Sequence, residues 1–211
     1  VKRGERIAFP TKFQELSDTI VRGKAFDDRV GCSLLVDILQ GGPYPVDILA
    51  AFTVQEEVGL RGAKVAAQTL QPDVAFALEG TTAHDLPDPL VEDGDIQSKM
   101  MTNNPACRLG AGPALTVMDR SMVAHPRLLN FLRQTADAND IPHQLKTALG
   151  GGTDAGIIHR TGGGIPSAVI STPCRYIHSP AAYLSKDDYN NGLELVKAAL
   201  KAMTFEVLKH E

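Results

Sequence analysis

From Lys24 onward the chain alternates two kinds of segment: short apolar runs that end in an acid or a histidine, and longer stretches whose apolar residues recur at helical spacing. This alternation restricts the fold more than any other feature. An apolar strand and an amphipathic helix bury each other only when helices are layered on a sheet. "DRVGCSLLVDILQGG" has helical spacing and stops at Gly41-Gly42, ahead of Pro43. "VDILAAFTV" reads as a strand covered on both faces, and "GLRGAKVAAQTL" as a short helix. "DVAFALEG" is a strand, followed by a loop rich in Asp and Pro and by "GPALTVMDRSMV". "HPRLLNFLRQTADAND" is an amphipathic helix with Pro126 near its first turn. Then come the strand "PHQLKTAL", the short helix "TDAGIIHRT", the strand "PSAVIST" and the long closing helix "KDDYNNGLELVKAALKAMTFEVLK". The expected class is α/β: a mixed, mostly parallel sheet with helices on both faces. Residues 1–23 differ, with "ERIAF", "KFQEL" and "TIVRG" reading as short strands between turns.

Composition removes several functions. The chain has 211 residues, room for one fair-sized domain, and a net charge of −4 with no basic run long enough to track phosphates. Nucleic acid is therefore not an expected partner. No apolar stretch reaches the roughly 20 residues of a membrane span, and no signal-peptide segment is present, so no membrane partner is expected. Cys32, Cys107 and Cys174 are far apart with no CxxC pair, which argues against disulfides and against a thiolate zinc site. A reduced, cytoplasmic setting is the simplest expectation.

The chemistry gathers at strand ends, where open α/β sheets place their functional groups. Asp27 and Asp28 follow "VRGKAF", Glu56 and Glu57 follow "AAFTVQ", Glu79 ends "VAFAL", Asp154 follows "ALGGGT" and His178 follows "STPCRYI". Carboxylates converging on one edge repel each other unless a cation compensates them. Carboxylate plus histidine without thiolate suits zinc, cobalt or manganese at an open site. One glutamate of the 56–57 pair would bind metal while the other stays free as a base. Taken singly, each residue has a plainer reading. Asp27-Asp28 or Asp154 could cap a helix, Glu56-Glu57 could open one, Glu79 could be a surface acid, and His178 could be a hydrogen-bonded structural histidine. His84, His125, His143 and His159 are expected in solvated or packing roles.

Five stretches in this order, "GKAFDDRVG", "TVQEEVGLRGA", "ALEGTTAHDLP", "GGGTDAG" and "PCRYIHSP", resemble the tetrahedral aminopeptidases. This is the dinuclear metallopeptidase family that includes glutamyl aminopeptidases, some of whose members were labelled endoglucanases. The resemblance implies a three-layer metallopeptidase-type sheet and removal of the N-terminal residue from peptides. It implies that Asp27 bridges two divalent ions, zinc or cobalt, with Asp28 supporting it through a strained or cis peptide link. Glu56 would be the general base, Glu57 and His178 would complete the first ion's set, and Glu79 would hold the second ion. Asp is more usual at the Glu79 position. The family's further histidine, in an upstream HxD segment, has no counterpart in this sequence.

On the same resemblance, residues 1–17 are expected to be the remnant of an inserted β domain. Residues 18–211 would be a catalytic domain without its first segment, and the sheet would be incomplete at the N-terminus. The expectation that follows is one tight metal or none, with little activity in the chain as it stands. A free peptide N-terminus is the implied substrate, and a homo-oligomer, dodecameric in the family, the implied assembly. Two other functions fit the acids. A β-glucan hydrolase would use two of the carboxyls, but it leaves His178 idle, and no tryptophan is available as a sugar platform. A metal-stabilised assembly module would use no base at all. Arg175 could meet an acidic side chain of the substrate or serve a structural ion pair.

Overall fold

The computed structural model describes residues 1–85, 107–147 and 150–208. Its strands are β1 (Gln14–Glu15), β2 (Ile20–Gly23), β3 (Ala75–Thr82), β4 (Ala114–Thr116), β5 (Gln144–Lys146), β6 (Ser167–Arg175) and β7 (Ala182–Ser185). The helices are α1 (Phe26–Gln40), α2 (Arg61–Leu70), α3 (Pro126–Ala138), α4 (Ala155–Ile158) and α5 (Lys186–Ala202), followed by a 3₁₀ turn at Phe205–Leu208. The Asp- and Pro-rich loop after Asp85 lies outside the described residues.

The helices form where the apolar spacing asks for them. Along α1, Val30, Leu34 and Ile38 recur every four residues on one buried face, and Gly41 closes the helix with its N–H on the Ile38 carbonyl. In α3, Leu128, Leu132 and Ala136 make the same stripe behind Pro126, whose missing N–H costs nothing in a first turn. In α5, Ser185 caps the start by accepting from the Asp188 N–H, and Leu195, Val196 and Ala199 turn inward. These stripes meet Leu115, Ala168 and Ile170 of the sheet in one core. Each fully buried leucine there contributes about 2 kcal/mol by the area it withdraws from water.

The sheet runs β1-β2-β7-β6-β4-β5, with β3 lying along β6. It is mixed, as expected, but not mostly parallel. Among the described strands, β3–β6 and β4–β5 pair parallel, whereas β1–β2, β2–β7, β6–β7 and β4–β6 pair antiparallel. Where paired strands are consecutive, connection length explains their direction. β4 and β5 are joined through α3, a crossover that permits parallel pairing, while the short returns at 16–19 and 176–181 turn the chain back on itself.

Two expected strands are absent among the described residues. "ERIAF" and "VDILAAFTV" have no ladder partner. In the second, Val46 and Ile48 lean on the core, but Leu49, Phe52 and Val54 are 50%, 53% and 66% exposed. An apolar run marks residues that need cover; it becomes a strand only where a neighbouring edge satisfies its backbone groups. The last helix also ends earlier than expected, at Ala202.

Candidate metal centre

Asp27 and Asp28 sit just after β2, at the mouth of α1. Asp27 (φ −85°, ψ 112°) and Asp28 (φ −118°, ψ 55°) are not helical, and the peptide between them is cis. Neither caps α1. Asp28 instead folds back, and its Oδ1 accepts the Gly31 N–H at 3.0 Å. Gly31 makes this possible, because a Cβ there would lie 2.4 Å from Asp28 Oδ2 and 2.1 Å from the Leu78 carbonyl oxygen of β3.

Glu56 and Glu57 lie on a turn, not at the start of a helix: the N–H groups of Gly59 and Leu60 both bond the Glu56 carbonyl, at 3.0 and 2.9 Å, and α2 begins only at Arg61. Gln55, with φ 61°, aims the pair across the sheet edge. Glu79 is on β3 and only 6% exposed. His178 lies in the return between β6 and β7.

These residues meet. His178 Nε2 is 2.8 Å from Asp27 Oδ2 and 3.3 Å from Glu57 Oε1. Donor atoms of Asp27, Glu57 and His178 all fall within 4.8 Å of one another, and so do those of Asp27, Asp28 and Glu79. Asp27 is common to both groups. Asp154, on the loop before α4, reaches the same cluster, its N–H 3.4 Å from Glu79 Oε1. Its side chain makes no cap for α4. A cavity of about 160 Å³ opens beside the first group, lined by Lys24, Phe26, Tyr176 and Ile177 among others.

The electrostatics are those of an array short of positive charge. Burial raises Asp27, with Glu57 adding to the rise and His178 opposing it. Burial pushes Asp28 to about 8 against the pull of the Gly31 N–H, and the charges of Asp27 and Glu56 add to the rise. Burial, then the facing charges of Asp154, Glu57 and Asp27, hold Glu56 at about 7. Burial holds Glu79 well above the usual carboxylate range, helped by Asp28, Glu56 and Asp154. The Arg175 guanidinium is engaged by Asp85. The donors fit a dication: two carboxylates with an imidazole in the half-open first group, three carboxylates in the buried second. The other described histidines stay out of both groups. His143 is 3.9 Å from Asp137, and His159 Nδ1 is 2.9 Å from the Ala155 carbonyl.

Of the acids and the histidine singled out in the sequence, Asp27, Glu57 and His178 meet in one group and Asp27, Asp28 and Glu79 in another, with Glu56 and Asp154 in neither but acting on them by charge or hydrogen bond. Gly31 and Thr53 carried no signal. Thr53 bonds the Asp154 carboxylate, a partner distant in sequence, and Gly31 matters only because β3 passes behind it.

The family model described as M42 glutamyl aminopeptidase matches residues 1–195. A curated relative from Acetivibrio thermocellus is 42% identical over 184 residues, covering 87% of this chain and 52% of that protein. Among solved structures, aminopeptidase APDkam598 from the archaeon Desulfurococcus kamchatkensis superposes with a TM-score of 0.83 at 37% identity, covering 94% of this chain and 54% of that one. The TET1 peptidase of Pyrococcus horikoshii, described as assembling into a tetrahedron or a large octahedral shell, gives 0.70 at 28% identity, covering 92% and 54%. The chain spans about half the length of the curated relatives it matches.

Proposed function

The chain belongs to the M42 glutamyl aminopeptidase family, and from that premise we propose that its acidic cluster serves a metal-dependent aminopeptidase, removing the N-terminal residue of peptides. The observation that carries the reading is the convergence of Asp27, Glu57 and His178 within 4.8 Å, with the charge of Glu56 facing Asp27 and Glu57. Asp27, Glu57 and His178 would hold one divalent ion, zinc or cobalt; Asp27 and Glu79, with Asp28 against them, would hold a second more weakly, for want of an imidazole. When bound, the ions would supply Lewis acidity to the scissile carbonyl and to the attacking water.

The remaining steps are those of the chain's own side chains. Glu56 takes the proton of the attacking water and returns it to the leaving amine. Asp28, tied to Gly31, keeps Asp27 in place. Assembly into a homo-oligomer belongs to the same reading, supported by the exposed Leu49, Phe52 and Val54. Three free cysteines, two of them buried, fit a reducing compartment. No described helix is long and apolar enough to cross a membrane.

The test is metal content per chain by elemental analysis after zinc or cobalt reconstitution, with release of N-terminal residues from short peptides measured before and after chelation. Metal-dependent release that stops when the peptide is N-acetylated is expected. Release that persists in chelator, or cleavage of acetylated peptides, overturns the reading.

A further inference from the structure

Asp154 has no part in the metal groups above, yet it is only 8% exposed, deep for a carboxylate. Its position before α4 would suit a helix cap, but its side chain does not cap. Its Oδ2 accepts instead from Thr53 Oγ1, and its Oδ1 is buried without a partner among the described residues. Its own N–H faces Glu79 Oε1 at 3.4 Å. Thr53 lies three residues ahead of Glu56, where the extended segment enters the turn, and that turn is closed behind it by Gly62 N–H on the Val54 carbonyl at 2.9 Å.

The other end of the tie is anchored independently. Asp119 Oδ1 accepts from the N–H and Oγ of Ser121, at 2.6 and 2.8 Å, and from the Met122 N–H at 2.9 Å. Ser121 Oγ in turn meets the Thr153 N–H at 3.4 Å, and the Arg120 N–H bonds the Gly151 carbonyl at 3.2 Å. A Cβ on Gly156 would strike Ser121 Oγ at 2.1 Å, so this loop and the 119–122 turn are in close contact. The carboxylate of Asp154 therefore stands on a braced loop and reaches across to an extended segment that has no ladder partner among the described residues.

We propose that Asp154 is a positioning residue: through Thr53 it fixes the segment that carries Glu56, and through its N–H it orients Glu79, so that one residue sets the base and a metal ligand relative to each other. The proposal rests on the reading of Glu56 as the general base. Asp154 is also the charge that acts most strongly on Glu56, which agrees with close approach. Supports of this kind cost about 10- to 100-fold when removed.

The experiment compares Thr53→Val, Thr53→Ser, Asp154→Ala and Asp154→Asn in metal-loaded protein. Steady-state peptide hydrolysis is measured together with amide hydrogen exchange over residues 54–62. Thr53→Val and Asp154→Ala should lower kcat about 10- to 100-fold with KM and metal content nearly unchanged, and should speed exchange at 54–62. Thr53→Ser keeps the hydroxyl, and Asp154→Asn keeps an oxygen for it, so both should recover most of the loss. Wild-type kcat and exchange in Thr53→Val overturn the proposal. So does an Asp154→Asn variant as damaged as Asp154→Ala, which would make charge the role, or a loss carried by KM. If the wild-type chain hydrolyses no peptide, the exchange pattern alone decides whether the tie holds the Glu56 segment.

Discussion

Replacing Gly31 by alanine should be felt at once in stability and in metal binding. Gly31 lies inside α1, where alanine would ordinarily gain up to about 1 kcal/mol over glycine. Here the added Cβ would lie 2.1 Å from the Leu78 carbonyl oxygen and 2.4 and 2.7 Å from the two Asp28 carboxylate oxygens. The first contact is over an ångström short of ordinary approach, and it is to backbone in β3, which cannot rotate away. Helix and strand must part. Overpacking of this kind costs about 1–3 kcal/mol, at the upper end against rigid backbone, which leaves a net loss of about 1–2 kcal/mol after the helix gain. With a urea dependence of about 2 kcal/mol per molar, the midpoint should fall by roughly 0.5–1 M. Moving Asp28 also breaks its bond to the Gly31 N–H, so zinc or cobalt affinity should drop about tenfold. The assay is urea unfolding followed by far-ultraviolet circular dichroism, with metal titration by calorimetry on the same samples. Gly163→Ala is the control, since a Cβ there has nothing within 4 Å, and it should stay within about 0.5 kcal/mol of wild type. A Gly31→Ala protein indistinguishable from that control in both measurements would refute the account of α1 packing on β3.

Glu56→Gln should lower peptide turnover by about 10²- to 10⁴-fold while leaving metal content per chain unchanged; loss of metal instead would exchange the roles of Glu56 and Glu57. His178→Ala removes the imidazole from the first group, and calorimetric titration should then show that site's affinity weakened about tenfold or more. Asp188 is fully buried at the start of α5, where it accepts the Gly110 and Gly112 N–H groups at 2.7 Å each, and burial nonetheless raises its carboxyl to about 6. The folded chain then holds this proton between about pH 4 and 6 while the unfolded chain has released it, so this group's contribution to stability falls as pH rises through that window. Asp188→Asn should flatten that part of the stability profile, and an unchanged slope between pH 4 and 6 would remove Asp188 as its source.

Much of the fold is legible because it is local. The four-residue stripe of α1 and its stop at Gly41, or Pro126 ahead of the α3 stripe, can be read within one window. The failures are non-local. "VDILAAFTV" has the composition of a covered strand, but strand character depends on an edge elsewhere in the chain. β7 is four residues long and defined by its partners β2 and β6, not by its own pattern. Two of the antiparallel pairings, β1–β2 and β6–β7, follow from short returns whose direction composition does not announce, and the other two, β2–β7 and β4–β6, join strands distant in the chain. At the site, the acids could be found one by one because carboxylates at the ends of apolar runs are conspicuous. Their supports could not: Asp154 looks like a helix cap until Thr53 is found against it, and nothing in "DRVG" shows that Gly31 backs onto Leu78.

The β2–β7 ladder has a consequence for folding order. Its register sets Gly23 opposite Ala182, so that Asp27, just beyond one strand, comes within 2.8 Å of His178, just before the other. These two residues are 151 positions apart in the chain. The Asp27–His178 contact therefore cannot exist in any partly made or partly folded chain that has not yet brought its early and late thirds together. A dication bound there, as proposed, would act as a clasp on that long loop, and its binding free energy would become part of the free energy of closing it. Loading with metal would then be a certificate of completed folding, and stripping the metal should loosen the β2–β7 edge first while leaving the α3–α5 core intact.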